Sequence, residues 1–249
     1  MSVDGQVDAL ARTVVAIADH AMRAAYVRHT LLGMRPEQVA DCFVVAMSSA
    51  EARRPAHCEL LQAISLALAD DACNGLRDTV CGLLQVRGEP SLARALMRAS
   101  PDDEDPAAQR VPDFGKGRTV TLGERKSLAR SHDRALIARV LRDPHPHVIR
   151  ILLGNPTLTE TDIVRLCASR PVLADVLREV FRSPKWIVRY QVKVALILNP
   201  CTPLDIALQI APLLTAQDLR RAAAATDLSV ELQEACKRLT GKTATTTLH

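Results

Sequence analysis

Residues 142–156 read RDPHPHVIRILLGNP, and residues 182–200 read RSPKWIVRYQVKVALILNP. Both begin with a basic residue and a short residue before proline. After a small gap come a hydrophobic residue and Arg, an apolar run, and Asn-Pro. Pro144 and Pro184 lie 40 positions apart, and Asn155 and Asn199 lie 44 apart. An internal period of this size marks a stacked helical repeat, because each helical pair exposes an apolar face that only the next pair can cover. Proline at a first helical turn has no donor to lose, and it pushes the preceding residue out of the helix, which sets sharp corners. Asn before Pro suits a turn and can hydrogen-bond locally.

The remaining composition agrees with helices. Apolar residues make up 48% of the 249-residue chain but aromatics only 2%, so Leu, Ala, Val and Ile must build the core. No apolar run reaches the roughly 18 residues of a membrane span, and MSVDGQVDALART has early acids rather than a basic leader. A soluble, cytoplasmic chain with no membrane partner is expected. The seven cysteines form no C-x-x-C pair, so they read as reduced thiols among apolar neighbours, with no metal and no cofactor.

Taken in order, residues 1–99 form an N-terminal helical domain. Val7, Leu10, Val14, Ile17, Ala21 and Ala24 recur at gaps of three and four, predicting one helix over 3–30. Its narrow apolar seam fits a neighbouring helix, or a second copy of the chain in a homodimer. Further helices are expected over 36–50, 57–69, 72–86 and 91–98. Residues 100–117 are acidic and proline-rich and read as a flexible linker, with Asp102–Asp105 as an alternative interaction motif or cover for the basic half. Residues 118–240 carry the repeats, including an expected helix over 185–198. Thr159 and Asp162 form a capping box with Asp in place of Glu. Residues 241–249 lose periodicity and read as a frayed, disordered tail.

Charge is unevenly spread along the chain. Over 115–249, twenty-one Lys and Arg face twelve acids, whereas residues 1–99 are nearly balanced. A basic stretch of this kind suits an acidic partner. The basic row is Arg118, Arg125, Lys126, Arg130, Arg134, Arg139, Arg142, Arg150, Lys185, Arg189 and Lys193. On a helix over 185–198, Lys185, Arg189 and Lys193 share one face, beside a stripe of Trp186 and Tyr190. Arg150, Lys185, Trp186, Arg189, Tyr190 and Lys193 are therefore the candidate binding residues. The bland alternative is buried aromatics beside solvated charges.

No catalytic constellation emerges. Consecutive Ser131-His132-Asp133 cannot form a triad, and His145-Pro146-His147 lacks further metal ligands. Gly115-Lys116-Gly117 and Gly241-Lys242-Thr243 lack the first glycine of a phosphate loop.

The motifs Asp143-Pro144…Val148…Arg150…Asn155-Pro156…Leu158 and Ser183-Pro184…Val188-Arg189…Asn199-Pro200…Pro203 resemble HEAT-like α-solenoids, most closely the leucine-rich-repeat-variant type. A degenerate third unit falls at Asp227…Val230. The resemblance covers residues 120–240 and implies a short right-handed α-solenoid after the N-terminal domain. That family's prototype carries an N-terminal cysteine cluster for an iron–sulfur centre, which this chain lacks. The expected function is a non-enzymatic adaptor or scaffold that binds a protein with an acidic surface. The alternative is nucleic-acid binding through the same face, with or without glycosylase chemistry using Trp186, Tyr190 and Asp143 or Asp175, as in some HEAT-like proteins.

Overall fold

The computed structural model describes residues 3–98, 111–114 and 117–246, and among these it is all-helical with no strand. Asp102–Asp105 lies outside the described residues. Among the described residues sixteen α-helices follow one another. The first six are α1 (Val3–Ala16), α2 (His20–Leu32), α3 (Pro36–Glu51), α4 (Pro55–Ala69), α5 (Asn74–Val86) and α6 (Pro90–Leu96). Next come α7 (Leu122–Leu128), α8 (Arg134–Val140), α9 (Pro146–Leu153), α10 (Glu160–Ala168) and α11 (Ala174–Arg182). The last are α12 (Pro184–Ile187), α13 (Tyr190–Ile197), α14 (Leu204–Ile210), α15 (Ala216–Ala224) and α16 (Val230–Thr246). Proline opens α3, α4, α6, α9 and α12, where a missing N–H costs nothing.

Contacts divide the chain into two compact units, one of Met1–Arg98 with Leu204–His249 and one of Ala99–Pro203. In the first, α4 is the centre. Leu60, Leu61, Ile64 and Leu68 are buried, as are Ala63, Ser65 and Ala67, and α1, α2 and α3 all pack on it. A helix apolar on every side is one meant for enclosure. The seam expected over 3–30 holds only to Val14, because the chain breaks at residues 17–19. Asp19 caps α2 by accepting from Met22 N at 2.8 Å, and Arg23 turns back onto the Ile17 carbonyl and Glu59, both at 2.5 Å. Val7, Leu10 and Val14 are buried inside this unit, so the stripe that suggested a homodimer is already covered.

The C-terminal helices belong to this first unit too. The sequence reading grouped 204–240 with the repeats, but α14 packs on α6, and the 3₁₀ turn Ala211–Leu213 packs on α3. Gln209 Nε2 donates to the Ala95 carbonyl at 2.7 Å. Arg53 holds a positive φ of 60° at the α3–α4 corner and donates to the Leu214 carbonyl. A non-glycine residue pays for that backbone conformation, and the long-range bond offsets it. At the other end of this segment, α16 continues to Thr246 where a tail without structure was expected from 241.

In the second unit the repeat becomes concrete. The bounds of α9 and α10, moved by 44 positions, fall on Tyr190–Ile197, the whole of α13, and on Leu204, the start of α14. The two asparagines repeat the same bonds. Asn155 Nδ2 donates to the carbonyls of Ala129 and Ser131, at 2.9 and 2.7 Å, and its Oδ1 accepts from Thr157 N at 3.0 Å. Asn199 Nδ2 donates to Cys167 and Ser169, at 2.7 and 3.0 Å, and its Oδ1 accepts from Cys201 N at 3.0 Å. Ala129 and Ser169 are helix C-caps, so each buried amide closes carbonyls that a preceding helix end leaves open. The expected capping box also forms, with Thr159 Oγ1 accepting from Asp162 N and Asp162 Oδ2 accepting from Thr159 N.

Candidate functional site

The register that places the asparagines also moves the candidate binding residues. The helix expected over 185–198 is two helices, because Arg189 is extended at φ −70°, ψ 125° and starts α13. It holds the corner position that His145 holds before α9. In the first copy, prolines on both sides of His145 announce that corner; in the second, Tyr190 stands in place of Pro146. The four-residue difference between the proline spacing and the asparagine spacing is α12, an inserted turn. Lys185, Arg189 and Lys193 therefore lie on α12, at the corner and on α13, rather than along one helical face.

Trp186 is 3% exposed, and its Nε1 donates to the Leu153 carbonyl at the end of α9 at 2.8 Å. It is a packing residue with its only donor spent, and Tyr190 is half-buried. Lys185 stays exposed, with its ammonium 4.5 Å from the centroid of the Trp186 ring. That distance lies within cation–π range. The lone tryptophan makes burial directly measurable. Its emission is expected on the blue side, with weak acrylamide quenching, and Trp186→Phe should cost about 1 kcal/mol for the lost hydrogen bond. A red, freely quenched emission would contradict this placement.

Part of the basic row is paired with carboxylates, although only Arg125 is enclosed, and Arg118, Arg134 and Arg150 stay more than half exposed. Arg125 donates to both oxygens of Asp143, at 2.8 and 3.0 Å, and Asp143 has no exposed side-chain surface. Arg134 forks onto Asp162, and Arg150 forks onto Glu179 with both bonds at 2.7 Å. Arg118 bonds both oxygens of Glu124. The Arg134 and Arg150 pairs tie alternate helices together, α8 to α10 and α9 to α11, so Arg150 acts as a strut. Lys193 is half-buried, whereas Lys185 and Arg189 are exposed, as are Arg130, Arg139 and Arg142. Sequence reasoning missed the neutralising carboxylates because Arg and its partner lie 18 to 29 positions apart.

Of the residues cast for glycosylase chemistry, Asp175 is exposed and Tyr190 half-buried. Asp143 is enclosed and paired, and Trp186 is enclosed with its indole N–H satisfied, so neither lines an open face. His145 and His147 meet edge to face at 5.3 Å, but His145 Nδ1 already accepts from His147 N at 3.2 Å and caps α9.

That cap gives the unit a pH dependence. Burial first, then His147 and Arg125, holds the His145 imidazole below its ordinary value of 6.5. The unfolded chain takes up this proton at higher pH than the folded chain does. Stability from His145 is therefore complete above about 6.5 and declines as the pH falls below it. Asp162 adds a second, more acidic step. Its Arg134 partner, helped by Thr159, lowers its pKa from 3.8 to about 2, so its contribution is lost as the pH drops from about 4 toward 2. Thermal melts between pH 8 and 5 should show the first decline, and His145→Asn, which retains a capping acceptor, should flatten it. An unchanged slope in the variant would assign the decline to other histidines.

No family model, curated protein or solved structure matches the chain. Among the described residues no helix is long and apolar enough to cross a membrane. The chain is thus placed in the all-helical class by its fold alone.

Proposed function

We propose that this chain is a non-enzymatic helical-repeat protein of the HEAT-like kind, which binds an acidic protein surface through the α12–α13 corner. The carrying observation is that Lys185 and Arg189 remain exposed on the two sides of that corner, while Arg118, Arg125, Arg134 and Arg150 are bonded to carboxylates. The 44-residue recurrence of helix bounds and asparagine bonds supports the repeat reading. Trp186, locked beneath Lys185, sets where the ammonium stands, which reduces the ordering a partner must impose. Trp186 supports this surface from beneath, Lys193 is half-buried on α13, and Arg150 is exposed and paired with Glu179.

The test is fluorescence anisotropy on the full chain with a labelled Glu-rich peptide, duplex DNA and single-stranded DNA, at low and physiological salt. Saturable peptide binding that survives physiological salt and falls about tenfold in Lys185→Glu/Arg189→Glu is the expected result. DNA binding that declines steeply with salt would move the assignment to nucleic acid. Binding of none of the three would remove the corner as a site.

A further inference from the structure

One side of α2 stands open in the first unit. The helix packs on α4 with Val27 and Leu31 buried, and Arg23 and Arg28 turn from its flanks to Glu59 and Asp70. The other side exposes Ala21, Met22, Ala25, Tyr26, His29 and Leu32, which recur at helical spacing without a single Lys, Arg, Asp or Glu. Of the seven large apolar side chains exposed among the described residues, three belong to this face: Met22 at 64%, Tyr26 at 40% and Leu32 at 51%. Scattered exposed hydrophobes are ordinary, but three on one uncharged face mark a contact surface.

The order of sizes along the face indicates what covers it. Its first half is small, with Ala18 just ahead of the helix, then Ala21 and Ala25; its second half is large, with Tyr26, His29 and Leu32. An antiparallel copy of the same helix, related by a two-fold axis at Ala25, sets the large half of each chain against the small half of the other. His29 then falls opposite Ala21, Leu32 opposite Ala18, and Tyr26 beside Ala25, where the small side chain lets the two helices approach closely. Met22, the large residue of the first half, falls opposite Arg28, whose side chain is 41% exposed and offers its hydrocarbon stem. The ends agree in charge. Asp19 is exposed before the first turn and Arg35 just beyond the last, so antiparallel pairing brings each toward its opposite on the copy.

We propose that α2 pairs antiparallel with α2 of a second copy of this chain, about a two-fold axis at Ala25. The helix has 13 residues and is about 20 Å long, so one such pair lies at the small end of specific interfaces. The dimer is therefore weak, with a Kd of about 10–100 µM. Sedimentation equilibrium of the full chain, from about 1 to about 500 µM, should show a reversible monomer–dimer system. Ala25→Glu opposes two carboxylates across the axis and Ala25→Lys two ammonium groups. Each alone should weaken the dimer about tenfold or more, and an equimolar mixture of the two should restore it. Ala25 is exposed, so both side chains fit the monomer; should either variant fail to fold, Leu32→Lys replaces it and weakens the dimer about tenfold. Direction is read from Ala21→Glu/His29→Lys, which should still dimerise, because only parallel pairing would oppose its like charges. A monomer at every concentration, a dimer indifferent to these charges, no recovery on mixing, or loss of the dimer in the double variant would each overturn the proposal.

Discussion

Replacing Asn199 by Ala is expected to lower the unfolding free energy by about 2–3 kcal/mol, among the larger effects of any single change in this chain. The reason is what the substitution leaves behind. The amide is 2% exposed, and its two donors serve the carbonyls of Cys167 and Ser169 while its oxygen accepts from Cys201 N. Alanine strands all three groups, and a buried group without a partner costs more than the hydrogen bond contributes. For a protein of this length the loss corresponds to a fall in Tm of about 4–12 °C. Asn199→Asp separates polarity from volume. It keeps the acceptor for Cys201 N but turns an anion toward two carbonyl oxygens, so it should be worse than alanine at neutral pH. Asn155→Ala should behave like Asn199→Ala, because Asn155 makes the corresponding bonds and one more, accepted from Thr157 Oγ1. Urea unfolding of the three variants decides the matter, and a change below about 0.5 kcal/mol at Asn199 would show that the repeated amide is incidental.

Arg125→Met is expected to be at least as damaging, at about 3–5 kcal/mol, because it leaves the Asp143 carboxylate enclosed without its cation. Asp143 has no exposed side-chain surface, and the Arg125 side chain is 11% exposed. The carboxylate also accepts from His145 N at 2.9 Å, so the pair fixes the corner from which α9 starts. The double variant Arg125→Met/Asp143→Leu removes both charges together and should recover much of the loss, because apolar replacements of buried pairs are often near neutral. It retains a deficit of about 1 kcal/mol for the His145 N–H. A double-mutant cycle by chemical denaturation measures the coupling directly. Additive single effects would mean that the two side chains act independently. The contrast with Arg118 is instructive. Its pair with Glu124 is exposed, although the bond to Arg118 and then the Thr121 N–H lower Glu124 to about 2. Solvent screening leaves little stability there.

The candidate site was only half legible in the sequence. Lys185 and Arg189 are exposed, but at a corner between two helices rather than on one helical face as expected, and Trp186 lies beneath that corner. Helical spacing gave a stripe that assumed one unbroken helix, and nothing in Ile187–Tyr190 marks the break as Pro146 marks its counterpart. The fate of the arginines was invisible for a different reason. Local spacing finds partners three or four positions away, whereas Arg125, Arg134 and Arg150 find theirs on other helices.

Local chemistry acts within one turn of helix, so the sequence by itself determined the helical class, most helix starts, the Thr159–Asp162 capping box and the 44-residue recurrence of Asn-Pro. Proline, capping side chains and apolar periodicity do their work over a few residues, wherever the segment ends up. Tertiary structure alone decided which helices share a core. Residues 204–240 looked like a continuation of the repeats, yet they pack against α3 and α6, where Gln209 and Arg53 find their carbonyl partners. An apolar helix face carries no record of which other apolar face will cover it. That choice is made by packing and by bonds between groups more than a hundred residues apart, which no local pattern encodes.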